Sequence, residues 1–156
     1  MLRGVDNLLT ADLLWVLAAM GHGDDIAVVD EHFPADSIAR ATVYGRPIRV
    51  PGVDCTSVTR AILSVLPLDE TASESAWRMD DAGVPGQLPP VQAEVQHEVD
   101  LARGASVPMG TLGRDAYYDA ARRAYAVVWT GDVRVFGCFV FKKGFLAPPA
   151  LAQARR

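Results

Sequence analysis

The fold is decided by residues 21–30, which read Gly-His-Gly-Asp-Asp-Ile-Ala-Val-Val-Asp. The apolar, β-branched run from residue 26 shows no polar alternation, which is typical of a strand buried on both faces. Before it, Thr10 is a suitable N-cap, and apolar residues recur at helical spacing up to Met20. We expect this helix to end at Gly21 in the left-handed conformation. A helix that leads through a short loop into a buried strand is half of an α/β unit.

The rest of the chain continues this alternation of helices and strands. Gly131-Asp132 indicates a turn, and residues 80–90 indicate a surface loop. Because helices alternate with buried strands, we expect a three-layer α/β/α fold. A single domain is predicted over residues 1–145, followed by a short tail at 146–156. The predicted helices are a short one after residue 34 and longer ones at 54–66, 91–103 and 114–123; the predicted strands are 74–79, 124–130 and 135–141, with loop or edge strand at 42–51.

Composition excludes several classes of function. The chain has 156 residues and carries 15 Lys and Arg against 19 Asp and Glu, so a basic face that could track a nucleic-acid backbone is not expected. Neither a signal peptide nor an apolar run of membrane-spanning length is recognised, and we expect a cytoplasmic protein without membrane contact. Cys55 and Cys138 match no metal-binding spacing and are expected to be free, buried thiols.

Two polar residues flank the predicted first strand. His22 lies between two glycines, where it is either a proton-transfer group beside a closely approaching ligand or an ordinary loop histidine. Asp30 ends the strand, at the edge where ligands gather in α/β sheets, although a capping role is equally open. His32 faces a ligand or caps the following turn. These three residues lack a second cluster that would complete a zinc site, so no metal is expected.

Other catalytic patterns are absent or ambiguous. The sequence has neither a nucleophile elbow nor a glycine-rich phosphate loop. His97 is predicted to be solvated on a polar helix face. Arg114 and Tyr118 suit sugar hydroxyls and ring faces, although a surface arginine with a tyrosine in the core explains the same pattern.

Several segments together resemble one family. Residues 20–24 read Met-Gly-His-Gly-Asp, and residues 29–34 read Val-Asp-Glu-His-Phe-Pro. Further on, residues 126–131 read Ala-Val-Val-Trp-Thr-Gly, and residues 141–144 read Phe-Lys-Lys-Gly. In order and spacing these segments, together with Arg114 to Tyr118, resemble the L-fucose mutarotase and D-ribose pyranase (RbsD/FucU) family. The resemblance covers residues 1 to about 145 and is nearer to the fucose branch.

The resemblance implies an isomerase that interconverts the α and β anomers of a free sugar. Because the fucose branch is nearer, we expect this sugar to be L-fucose. It also implies an α/β/α fold assembled into ring-shaped homo-oligomers, commonly decamers, with sites at subunit boundaries. By motif position, His22 would transfer the proton. Asp30, Arg114 and Tyr118 would bind the sugar. Neither a cofactor nor a metal is implied.

One segment departs from the family pattern. The family's Tyr-Gly-Asn substrate-contacting segment is here Phe136-Gly137-Cys138. Phenylalanine keeps a ring that can stack on a sugar but loses a hydroxyl, and cysteine replaces an amide with a weak donor. Since lost hydrogen bonds change selectivity, another sugar, a ribose pyranase-type exchange and non-catalytic sugar binding or transport support remain alternatives.

We expect catalysis by general acid–base chemistry. Ring opening requires a proton to leave the anomeric oxygen O1 and a proton to reach the ring oxygen O5. One well-placed imidazole can supply this acid–base catalysis, so His22 is expected to transfer a proton at O5 or O1. Asp30 and Arg114 are expected to hold the sugar by its hydroxyls. The sequence leaves the source of the second proton open.

Overall fold

The fold is built on one mixed six-stranded sheet. A computed structural model of the chain describes residues 2–80 and 88–147. The elements are α1 (Ala11–Ala19), β1 (Asp25–Val29), α2 (Ala35–Ala39), β2 (Ile48–Val50), α3 (Cys55–Leu63), β3 (Ala76–Met79), α4 (Pro90–Arg103), β4 (Gly110–Leu112), α5 (Arg114–Arg123), β5 (Ala126–Thr130) and β6 (Phe139–Lys142).

The strand order is β2-β5-β1-β6-β3-β4. Strand β6 is antiparallel to its neighbours β1 and β3, whereas the β1–β5, β2–β5 and β3–β4 pairs are parallel. Five strands therefore point the same way. Their carboxyl ends and the start of β6 share one edge of the sheet, which we call the carboxyl edge. The opposite edge, where β1 begins and β6 ends, is the amino edge.

Helices cover both faces of the sheet, which confirms the three-layer α/β/α prediction. Apolar residues of α1, α3 and α4 pack on one face with Ile26 and Val28 of β1. Apolar residues of α2 and α5 pack on the other face with Ala27 and Val29. Consecutive β1 residues thus point into different cores, and all four are fully buried. This double burial explains why the strand shows no polar alternation in the sequence.

The first helix begins as predicted and ends differently. Thr10 Oγ1 accepts a hydrogen bond from the Leu13 N–H, as an N-cap does. The prediction that Gly21 ends the helix in the left-handed conformation is wrong, because the C-cap is Met20 in an extended conformation. The Lys143 ammonium donates to the carbonyls of Leu17 and Met20, both at 2.6 Å. A lysine from the other end of the chain therefore satisfies the helix end, and a left-handed residue is not required.

Other boundaries moved for identifiable reasons. Strand β4 was not predicted, since it is an outermost strand of only three residues, one of them a glycine. The last strand was predicted from Val135 but begins at Phe139, because residues 131–138 form an irregular loop. The helix predicted at 54–66 ends at Leu63, so Val65 lies beyond it and is half-exposed.

Part of the sequence-based prediction is untested by the structure. Most of the predicted loop at 80–90 and of the tail at 146–156 lies outside the described residues, so the domain boundary at 145 stays a prediction. Among residues 2–80 and 88–147, no helix is long and apolar enough to cross a bilayer.

A nearly buried carboxylate joins two helices on one face. Glu98 of α4 has 7% of its side chain exposed and accepts hydrogen bonds from Arg60 Nε at 3.1 Å and Nη2 at 2.7 Å. The Arg60 guanidinium of α3 is mostly exposed. The pair thus fixes α3 to α4 and compensates the Glu98 charge.

We predict that Arg60→Met lowers the free energy of unfolding by about 1–3 kcal/mol, because Glu98 is left without its donors. Arg122→Met is the matched control, since Arg122 pairs with Asp119 one helical turn away and both side chains are exposed. The control should change stability by less than about 0.5 kcal/mol. Chemical denaturation of both variants measures this, and equal effects would contradict the assignment.

Candidate active site

A buried carboxylate lies at the carboxyl edge. Asp30 follows β1 directly and is 4% exposed. Its Oδ2 accepts a hydrogen bond from the Gly137 N–H at 3.0 Å, and its Oδ1 accepts one from the His32 N–H at 3.1 Å. Burial raises the pKa of Asp30, against the lowering effect of these two N–H donors. The two N–H donors offset only part of the cost of burying the carboxylate charge, so additional donors such as sugar hydroxyls would stabilise it.

The loop 131–138 brings the predicted segment Phe136-Gly137-Cys138 to Asp30. Cys138 is 3% exposed, and its Sγ lies 3.7 Å from Asp30 Oδ2. A Cβ on Gly137 would lie 3.1 Å from both the Asp30 Cβ and the Cys55 Sγ. The chain therefore passes so close to Asp30 that a side chain at 137 would displace it. We call Asp30, Cys55, Phe136, Gly137 and Cys138 the Asp30 cluster.

Phe136 has strained backbone. Among the described residues it is the one non-glycine with positive φ, at 65°. Its carbonyl accepts a hydrogen bond at 3.1 Å from Nε2 of Gln92, a fully buried side chain of α4 that also binds the Met79 carbonyl. Strain of this kind persists where the surroundings fix it and is frequent at ligand sites. The Phe136 ring is half-buried and packs against the apolar core that contains Cys138.

Cys55 and Cys138 are free and buried, as predicted. Burial raises the pKa of both thiols, so they stay protonated at neutral pH. The Cys55 Sγ lies 3.3 Å from the Gly137 carbonyl oxygen, to which it donates. Its backbone N–H donates to Asp132, whose pKa is lowered by Arg134 despite burial. These contacts anchor both ends of the loop 131–138.

The remaining residues predicted at this site lie on the same edge. Arg114 begins α5 at the end of β4, and its side chain is exposed. Tyr118, one turn later, stacks on Phe33 with ring centroids 5.1 Å apart. Phe33 belongs to the turn that follows Asp30, so this stack joins α5 to the Asp30 segment. The neighbouring Tyr117 is fully buried and donates to the Phe139 carbonyl.

The His32 ring contacts the loop 131–138, whereas its backbone contacts Asp30. Its Nε2 donates to the Val133 carbonyl at 3.0 Å, and only its backbone N–H reaches Asp30. The structure thus favours the capping interpretation of His32. His97 is exposed on α4, as predicted.

His22 lies at the opposite edge of the sheet. Its Nε2 is 3.2 Å from Oδ2 of Asp69, and its ring packs edge-on against Phe145 with centroids 5.2 Å apart. The imidazole is 47% exposed, whereas the Asp69 carboxylate is 6% exposed. We call His22, Asp69, Thr71 and Phe145 the His22 cluster. It borders a largely apolar groove of about 510 Å³.

The two clusters do not meet within one chain. They lie at opposite ends of β1, whose five residues at about 3.3 Å each span roughly 16 Å. A monosaccharide ring cannot bridge this length. The structure therefore brings Asp30, Phe136, Gly137 and Cys138 together, places Arg114 and Tyr118 on the same edge, and leaves His22 apart.

Sequence reasoning missed Asp69, Thr71 and Phe145 beside His22, and Gln92 behind Phe136. Asp69 is 47 positions from His22 in an irregular segment, without a spacing that relates the two. The one local signal is Asp-x-Thr, in which the Asp69 carboxylate accepts from the Thr71 N–H and O–H. Among residues 2–80 and 88–147, no three His, Cys, Asp or Glu side chains are grouped to hold a metal ion.

We predict that Gly131→Ala destabilises the protein by about 1–3 kcal/mol, because the added methyl group would force the backbone at residue 131 away from the backbone at Gly52. Its Cβ would lie 2.3 Å from the Gly52 nitrogen, at the start of the loop 131–138. Gly113→Ala is the control, since its Cβ would meet nothing within 4 Å. Thermal unfolding of both variants tests this, and a Gly131→Ala protein as stable as the control would refute the close packing.

The chain is similar to known proteins over nearly its whole length. Residues 3–146 match the model of the RbsD / FucU transport protein family. The fucose mutarotase of Bos taurus is 39% identical over 155 residues, covering 96% of this chain and 97% of that protein. A solved structure described as that of a candidate sugar-binding protein is 46% identical with a TM-score of 0.91, covering 94% of this chain and 97% of that chain.

A further solved structure contains a sugar. The fucose mutarotase of Streptococcus pneumoniae in complex with L-fucose is 26% identical and has a TM-score of 0.81. The similarity covers 94% of this chain and 100% of that chain. The match of the family model over nearly the whole chain, together with these similarities, shows that the chain belongs to the RbsD/FucU family.

Proposed function

We propose that this protein is an isomerase that interconverts the α and β anomers of free L-fucose. The observation that carries the proposal is the pair of clusters. One presents a half-exposed imidazole held by a carboxylate, and the other presents a buried carboxylate that accepts backbone hydrogen bonds from Gly137 and His32. Relatives that are 33% and 39% identical to this chain are named fucose mutarotases, which supports L-fucose as the substrate.

The chemistry needs one proton carrier. The imidazole of His22 takes the proton from O1; the C1–O5 bond then breaks with its electron pair going to O5, and C1=O1 forms. The same proton passes from the imidazolium to O5, which lies close to O1 because both oxygens were bonded to C1 in the closed ring. Rotation about C1–C2 and the reverse steps close the ring on the other face. The proton count balances without redox chemistry, and the chemistry requires neither a metal nor a cofactor.

The sugar is held at the carboxyl edge. Asp30 accepts hydrogen bonds from sugar hydroxyls, and the exposed guanidinium of Arg114 donates to them. Phe136 presents its ring to a sugar face, and Tyr118 borders the site through its stack on Phe33. Gly137 and Cys138 act through Asp30, because the Gly137 N–H and the Cys138 thiol are turned to its carboxylate.

The complete site spans two copies of the chain. His22 and Asp30 lie at opposite ends of β1, so a sugar contacts both only where the amino edge of one subunit meets the carboxyl edge of another. Such head-to-tail contacts generate closed rings when the rotation closes. We propose a homo-oligomeric ring, a decamer by family resemblance.

Exposed apolar side chains occur at both edges and suit such contacts. Val133 and Val135 are 67% and 59% exposed beside the Asp30 cluster, and Leu146 is 82% exposed beside the His22 cluster. Apolar side chains grouped at a surface mark interaction sites. The reduced, buried cysteines suit a reducing compartment, which supports a cytoplasmic location.

Phe136 and Cys138 favour a second candidate function. They lack the hydroxyl and the amide of the family's Tyr-Gly-Asn segment, so the second candidate is a mutarotase or pyranase for another sugar such as D-ribose. Non-catalytic sugar binding or transport support is the remaining alternative. Exchange NMR on ribose, galactose and rhamnose solutions separates these alternatives from L-fucose.

We predict that the protein accelerates α/β exchange of L-fucose at neutral pH and that His22→Ala removes the acceleration, a loss of about 10²–10⁴-fold. Saturation-transfer NMR on the sugar resonances measures the exchange rate. His97→Ala is the control, since that imidazole is exposed on α4. Acceleration that survives His22→Ala would refute the catalytic assignment.

We predict that inactive His22→Ala and Asp30→Asn proteins regain activity when unfolded together and co-assembled. A site formed by His22 of an Asp30→Asn subunit and Asp30 of a His22→Ala subunit is intact, so about a quarter of the sites recover in an equal mixture. Each variant refolded alone is the control. If the mixture stayed as inactive as its parts, sites that span two subunits would be excluded.

A further inference from the structure

One peptide unit of the loop 131–138 is held on both sides by side chains. The Gly137 N–H donates to Asp30 Oδ2 at 3.0 Å, and the Phe136 carbonyl of the same peptide accepts from Gln92 Nε2 at 3.1 Å. In a trans peptide these two groups point in opposite directions. Gln92 and Asp30 therefore lie on opposite sides of the peptide 136–137 and together fix its orientation.

The Gln92 side chain is fully buried, and its hydrogen bonds fit one orientation of the amide. Nε2 donates to the Met79 carbonyl at 2.8 Å as well as to the Phe136 carbonyl, and Oε1 accepts from Arg78 Nη1 at 2.9 Å. The opposite orientation would set the amide oxygen against two carbonyl oxygens, which cannot donate. The amide thus joins the first turn of α4 to the end of β3 and to the loop 131–138.

The hydrogen bonds run in one direction, from a positive group to a negative group. Arg78 donates to the Gln92 amide. The amide donates to the peptide 136–137, and this peptide donates to Asp30. Because donors and acceptors aligned in this way polarise one another, each hydrogen bond strengthens the next. The N–H that faces Asp30 is therefore a stronger donor than that of an isolated peptide.

The loop needs this support because of the conformation of Phe136. A φ of 65° is costly for a residue with a side chain, so the segment keeps its shape only where neighbouring groups hold it. Without Gln92 the peptide 136–137 is free to rotate. A rotated peptide would turn its carbonyl oxygen, rather than its N–H, towards Asp30. That arrangement repels the carboxylate and removes one of its buried donors.

We propose that Gln92 is a positioning residue for sugar binding, which holds the peptide 136–137 so that its N–H supports Asp30 as the acceptor of sugar hydroxyls. The inference rests on the proposed mutarotase function and deepens it. Gln92 does not touch the sugar, since its side chain is fully buried. It acts on the binding half of the site, whereas proton transfer belongs to His22 at the opposite edge of the sheet.

Gln92→Met tests this role with a side chain of similar length that cannot donate a hydrogen bond. Because Asp30 loses the support of an oriented N–H, we expect KM for L-fucose to rise about tenfold. kcat should stay within about threefold, since His22 is untouched. Saturation-transfer NMR over a range of sugar concentrations gives both constants.

Hydrogen exchange of the Gly137 amide reports on the peptide itself. In the native protein this N–H is buried and bonded to Asp30, so it should exchange slowly with solvent. In Gln92→Met it should exchange at least about tenfold faster. A role of Gln92 limited to overall stability would accelerate the amides of the buried strand β5 by the same factor.

The matched control is Gln96→Met, one helical turn further along α4. Gln96 also joins its helix to backbone, since Nε2 donates to the Val107 carbonyl and Oε1 accepts from the Met109 N–H. These partners precede β4 and do not belong to the loop 131–138. Gln96→Met should therefore keep native KM and native exchange of the Gly137 amide.

A second variant keeps the test decisive if Gln92→Met does not fold. Arg78→Met retains the Gln92 amide and removes the guanidinium that polarises it. KM should then rise about threefold with kcat unchanged. A native KM in Arg78→Met would count against the inference.

A native KM in Gln92→Met, or equal rises of KM in Gln92→Met and Gln96→Met, would overturn the inference. Failure of the proposed function gives a different result. In that case the native protein would not accelerate exchange of any sugar, while faster Gly137 exchange confined to Gln92→Met would still support the hold of Gln92 on the peptide.

Discussion

The central strand β1 imposes the constraint on which the site depends. It pairs in parallel with β5 and antiparallel with β6, and it is buried on both faces. Its direction and position are therefore fixed by backbone pairing and by two apolar cores. Each end of the strand carries one polar group suited to sugar chemistry, His22 before it and Asp30 after it. A rigid strand keeps these groups apart in one chain, which is why we propose that assembly completes the site.

The two clusters show different ways of controlling a polar group. Asp30 is withdrawn from water and receives two backbone N–H groups, which leaves a buried acceptor with raised pKa. Asp69 is kept ionised by Thr71 and turned to an imidazole that remains open to solvent. One carboxylate thus suits binding of neutral hydroxyls, and the other suits support of a transient positive charge. Environment, not residue type, separates the two roles.

Sequence alone predicted the features with local causes. The helix N-cap at Thr10, the buried strand before Asp30 and the free thiols all follow from nearby residues and were confirmed. The errors arose from distant contacts. Lys143 satisfies the end of α1 from more than 120 positions away. The loop 131–138 takes up the first residues of the predicted last strand, because Asp30, Gln92 and Cys55 hold it. The contact between Asp69 and His22 could not be predicted for the same reason, since only the fold brings the two residues together.

The proposed mechanism requires that one sugar be shared by His22 of one subunit and Asp30 of another. A crystal structure of the assembled protein grown with L-fucose tests it most directly. We expect sugar hydroxyls within hydrogen-bond distance of Asp30, with O1 and O5 facing the His22 imidazole of a neighbouring subunit. A sugar bound at one edge only, with the neighbouring imidazole out of reach, would contradict the proposed shared site.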